Sequence, residues 1–250
     1  MKTIFTKTML LLATLGMIAV NAMANILPFN NLTTAAVSDS LVIYFVPAGY
    51  VFGIWGIIYL LLIGFVLKYL LSQETTRFST LLPYYFLSTI LNAGWIVLWH
   101  YGYFLTTGVV MVALLLTLIA LYQQAKQLTL RSRWEFLTLS VPFSVYLSWI
   151  CVATIANLSG ILWLFRWDGF GIAEPLWAAI MMGIAGILAV LFALREKDFV
   201  FPLVTIWALV GIMIKFPTQQ EMLYVGIASV SAIVLVLLKQ GYSAFTLRNK

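Results

Sequence analysis

The chain is a succession of long apolar runs separated by short polar stretches. Eight runs read as spans, at residues 9–27, 46–67, 81–99, 103–122, 136–158, 175–194, 199–216 and 222–238. A helix needs roughly 20 apolar residues to cross the hydrocarbon core. The runs are continuous, not alternating ten-residue segments, so they predict helices and argue against a barrel. The expected fold class is all-α: a polytopic membrane helix bundle with eight transmembrane helices. Every connection is shorter than about twenty residues, which leaves no room for an inserted soluble domain.

Composition agrees with that pattern. Of 250 residues, 63% are hydrophobic and 9% charged, against about 25% charged in a soluble domain. Twelve of the 14 Lys and Arg residues fall on alternate connections: Lys2 and Lys7; Lys68 and Arg77; Lys126, Arg131 and Arg133; Arg195 and Lys197; Lys239, Arg248 and Lys250. Only Arg166 and Lys215 fall on the other side. This bias predicts that, with the first span kept, both termini are cytoplasmic, in a multi-pass protein of the cell (plasma or inner) membrane. The net charge of +6 follows from the same bias and does not point to nucleic acid.

The first run has two readings. Lys2 and Lys7, an apolar core and Ala22-Met23-Ala24 also describe a cleavable secretory signal. The single Cys151 stands inside a span, so it forms no intramolecular disulfide.

Several polar and aromatic residues stand out against the apolar background. Residues 47–59, PAGYVFGIWGIIY, open the second span; a Pro is tolerated there because its missing N–H has no helical partner anyway. Asn92, Trp95 and Trp99 share one face of the third span. His100, at the end of that span, is expected to be a wetted belt residue. In the fifth span Ser140, Ser144 and Ser148 form one stripe, and Tyr146, Trp149 and Asn157 add groups that want hydrogen-bond partners. Each pattern also fits ordinary helix packing. No phosphate loop, H-E-x-x-H motif or paired intramembrane carboxylates occur. The interiors of spans two to five lack Asp, Glu and His, which argues against a proton-driven pump.

Taken in order, these residues resemble the TspO/MBR family of tryptophan-rich sensory proteins. The second span carries Pro47, then Val51-Phe52-Gly53, then Trp55 and Tyr59; the third carries Leu91-Asn92 and Trp95; the fifth carries Tyr146-Leu147-Ser148-Trp149 with Asn157 eight residues on. The chain departs from the family pattern at Ala48, Tyr50, Val145, Ala156 and Leu158, and lacks one residue between Gly53 and Trp55. The resemblance implies a five-helix membrane domain over residues 1–165 and supports keeping the first span as a helix. Residues 166–250 are expected to form an additional three-helix extension.

The resemblance also implies a ligand cavity between helices two, three and five. Its expected lining is Tyr50, Trp55, Asn92, Trp95, Tyr146, Trp149 and Asn157. The implied ligand is flat and hydrophobic, a tetrapyrrole such as a porphyrin or haem, and the implied role is sensing or transport. No required cofactor, metal or catalytic residue is expected, although porphyrin degradation is an activity the resemblance attaches to some members. Expected partners are the lipid bilayer and a small hydrophobic ligand, with a homodimer as the candidate assembly and no nucleic acid. Transport of another small hydrophobic solute, or a structural role without a ligand, are the alternatives.

The charge bias yields a direct check. A green fluorescent protein fused to the C-terminus should fluoresce, and alkaline phosphatase fused there should be inactive; the reverse pair of results would overturn the orientation.

Overall fold

The computed structural model describes residues 2–26 and 29–248, with side chains described for residues 3–26 and 29–242. The predicted span end at Leu27 and the charge of Lys250 lie outside the described residues. Among the described residues there is no strand. Seven helices among the described residues are long and apolar enough to cross a membrane, so this is a multi-pass membrane protein. The predicted span at 199–216 is a shorter helix, Val200–Lys215 of 16 residues. It is about 24 Å long, against a hydrocarbon core of roughly 30 Å.

Two compact units divide the chain. The first comprises residues 1–42 and 52–161, and the second residues 43–51 and 162–250.

In the first unit, α1 (Lys2–Ile26), the short α2 (Thr34–Asp39), α3 (Ile54–Leu71), α4 (Leu82–His100) and α5 (Phe104–Lys126) come in order. A single turn, α6 (Arg133–Glu135), and a π-helical turn, Phe136–Ser140, lead into α7 (Val141–Leu164). α4 packs against both α1 and α5, and α1 also touches α3. The α4–α5 hairpin is closed by Gly102 at φ +75°, with Tyr103 N–H donating back to Leu98 O. That is the turn a left-handed glycine permits at a helix C-terminus.

The π turn has a cause in the sequence. Pro142 has no N–H to give to Thr138 and its ring would crowd that carbonyl. The helix widens just before it, and Val141 N–H reaches back five residues to Phe136 O.

Glu135 anchors this end of the unit. It is buried and accepts both Arg77 Nη1 at 2.8 Å and Nη2 at 3.0 Å. Lys68 Nζ stands 3.2 Å away and Arg131 N–H donates at 2.9 Å. Arg77 also donates to Thr129 O. The hydrogen bonds to Glu135 hold the Arg77 guanidinium above its ordinary pKa. One carboxylate with this many donors joins α3, the 75–78 turn and α6, which leads into α7. The exposed Arg131–Glu74 pair contributes little by comparison.

In the second unit, α8 (Glu174–Glu196), α9 (Val200–Lys215) and α10 (Gln220–Arg248) follow. α8 packs along α10, and α9 touches both. A Cβ on Gly186 would lie 2.6 Å from Ser229 Cβ, so only glycine permits that crossing. Asp198 starts α9 by accepting from Val200 and Phe201 N–H. Residues 43–51 lie on α9: Ala48 N–H donates to Gly211 O and Trp207 Nε1 donates to Val51 O.

α1 is part of the first unit's core. Thr14 Oγ1 and Tyr85 Oη share a hydrogen bond of 2.8 Å, and Asn21 Nδ2 donates to Asn92 Oδ1 at 2.8 Å. Lys7 Nζ donates to Leu70 O and Ser72 O at the end of α3. Losing α1 would leave Asn92 Oδ1 buried without that donor, at a cost of about 1–3 kcal/mol per orphaned group. The purified protein is therefore expected to keep α1. An intact mass showing loss of the residues through Ala24 would overturn this.

Candidate ligand site

The site is built from three helices of the first unit. α3 places Trp55 and, one turn later, Tyr59 on one face. α4 does the same with Asn92, Trp95 and Trp99, and α7 with Tyr146 and Trp149. All of these are apolar or amphipathic rings or amides, so burial in a waterless bundle requires ring partners and hydrogen bonds.

Trp55 is the centre of the cluster. Its ring is stacked with Tyr59 at 5.7 Å between centroids and tilted against Trp95 at 6.4 Å. Tyr146 and Trp149 meet it edge-on at 6.1 and 6.2 Å. Phe52 extends the chain of rings beyond Trp149, and Trp99 extends it beyond Trp95 at 5.4 Å. Such pairs contribute about 0.5–1.5 kcal/mol each beyond area burial.

Hydrogen bonding divides the polar groups into two sets. Asn92 is engaged within the protein on both sides of its amide: its Oδ1 accepts from Asn21 and its Nδ2 donates to Tyr146 Oη at 2.8 Å. Tyr59 Oη, Trp95 Nε1 and Trp149 Nε1 are buried without a hydrogen-bond partner among the described residues. All three belong to rings that touch Trp55. A buried donor left unpaired costs about 1–3 kcal/mol.

Of the seven residues expected to line a ligand cavity, Trp55, Asn92, Trp95, Tyr146 and Trp149 stand together here. Tyr50 belongs to the second unit, half exposed, edge-on to Trp207 at 5.3 Å. Asn157 faces α5, where its Nδ2 donates to Thr107 Oγ1 at 3.1 Å. Tyr59, Phe52 and Asn21 are participants that the sequence-based lining left out. Spacing from Trp55 could have identified Tyr59; Asn21 lay in the run that doubles as a signal sequence.

His100 requires a correction. It is not wetted but 4% exposed, with Nε2 3.2 Å from Thr34 Oγ1 and Phe29 edge-on at 5.5 Å. The segment after α1 folds back over the end of α4, and Asn30 Nδ2 donates to His100 O. Among the described residues no group of three or more His, Cys, Asp or Glu stands together as a metal site.

Asn92→Leu is expected to lower stability by about 1–2 kcal/mol, because Asn21 and Tyr146 lose their partner. Adding Asn21→Leu should recover part of the loss. Thermal unfolding in detergent measures both, and a single variant as stable as the parent would refute the pairing.

The family model described as TSPO-like protein matches residues 7–240. No curated protein and no solved structure matches the chain.

Proposed function

The chain belongs to the TSPO-like family, and from that premise we propose that it binds a flat hydrophobic ligand at the ring cluster of α3, α4 and α7. A tetrapyrrole, porphyrin or haem, is the first choice, and the role is that of a membrane sensor or transport protein. The orientation that goes with it has both termini in the cytoplasm, the side the charge bias favours.

One observation carries this reading. Tyr59, Trp95 and Trp149 hold three buried donors without partners among the described residues, around a single aromatic centre, Trp55. A conjugated ring system stacks on indole faces and satisfies such donors at its edge. Asn92 serves differently: its bonds to Asn21 and Tyr146 hold α4 and α7 in register, so it positions the rings.

A second reading is a structural membrane protein whose aromatics are packing. The direct contacts of Trp55 with four rings favour it. Binding decides between the two.

Detergent-purified protein titrated with protoporphyrin IX should shift the porphyrin's Soret band saturably. Trp95→Ala with Trp149→Ala should weaken binding at least tenfold, since two stacking contacts and two donors exceed about 1.4 kcal/mol. Trp207→Ala, in the second unit, should leave affinity unchanged. Affinity unchanged in the double variant would refute the site, and no saturable shift would favour the structural reading.

A further inference from the structure

The chemistry around the three unpaired donors specifies the kind of acceptor they take. Tyr59 Oη, Trp95 Nε1 and Trp149 Nε1 are neutral donors, each buried. A ligand that occupies this site without offering an acceptor leaves all three unpaired, and that costs affinity.

The charge state follows from what surrounds them. No Asp, Glu, Lys, Arg or His occurs in residues 54–67 of α3, 82–99 of α4 or 141–164 of α7. The first cation along α3 is Lys68. It lies thirteen residues beyond Trp55, about 20 Å away along the axis, and is paired with Glu135. An anionic acceptor placed among these rings would be buried without a counter-ion, at a cost far above that of a neutral carbonyl. The amide of Asn92 does not compensate, because it is a neutral dipole and not a counter-ion, and it already bonds Asn21 and Tyr146.

We infer that the group held by Tyr59, Trp95 and Trp149 is an uncharged hydrogen-bond acceptor on a flat ring system, a ketone, quinone or ring imine. Any carboxylate the ligand carries is directed away from these rings. The inference rests on the ligand-binding function proposed above.

Three probes of one tricyclic frame test it: fluorene has no acceptor, 9-fluorenone a neutral one, and fluorene-9-carboxylate a charged one. Binding is measured in detergent by tryptophan quenching, corrected with a free tryptophan amide in the same micelles. Fluorenone should bind roughly three- to tenfold more tightly than fluorene, with the carboxylate weakest. Tyr59→Phe, which removes only a hydroxyl, should remove a few-fold of the fluorenone affinity and leave fluorene unchanged. Equal binding of fluorene and fluorenone, or a carboxylate as tight as the ketone, overturns the inference.

The same comparison on a larger ring uses protoporphyrin IX and its dimethyl ester. The ester should bind at least as tightly as the acid; an acid tenfold tighter overturns the inference. If protoporphyrin IX binds and these orders fail, the acceptor assignment falls while the binding function stands. If no probe and no porphyrin binds, both fall.

Discussion

In a membrane bundle, a polar group cannot fall back on water, and everything in the first unit is arranged around that constraint. Asn92 is the point where it is met. Its amide sits at the centre of α4, takes a hydrogen from Asn21 of α1 and gives one to Tyr146 of α7. Apolar contacts between membrane helices discriminate poorly among neighbours, since lipid tails are equally apolar. Directional bonds specify which helix lies where. Thr14 and Tyr85 repeat the device on the same two helix faces, about two turns away. Because Tyr146 is held by Asn92, the Trp149 that follows it by three residues is held too, and the ring cluster about Trp55 inherits its geometry from these bonds.

The charged end of the unit obeys the same rule in a different form. Glu135 is buried but surrounded by Arg77, Lys68 and a backbone N–H. A buried carboxylate is tolerated only with such company. The cations involved are among those that make up the charge bias along the chain, and here they secure the end of α3 to α6. The π turn ahead of Pro142 allows that anchored end to continue into the helix carrying Tyr146 and Trp149.

Much of this was legible in the sequence, for reasons that can be named. Trp55 and Tyr59, Asn92 and Trp95, and Tyr146 and Trp149 each lie within one helical turn of each other. Helix periodicity alone puts every pair on a common face. That the three faces meet followed from their resemblance to a family pattern, not from periodicity. Tyr50 shows where local reading ends. It is five residues from Trp55, yet it packs on Trp207, and a unit boundary falls between Val51 and Phe52. His100 shows the opposite case. A histidine at a span end is expected to meet water, but the segment carrying Phe29, Asn30 and Thr34 covers it.

The sequence by itself determined the helices, their approximate ends and the membrane as their solvent. These depend on the length and continuity of apolar runs, which are local properties. It also determined which residues share a helix face. Only the tertiary structure decided which polar group answers which: Asn21 for Asn92, Thr107 for Asn157, Glu135 for Arg77, and none among the described residues for Tyr59, Trp95 and Trp149. Hydrogen-bond partners come from residues 50 or more positions apart, and no local pattern encodes that distance.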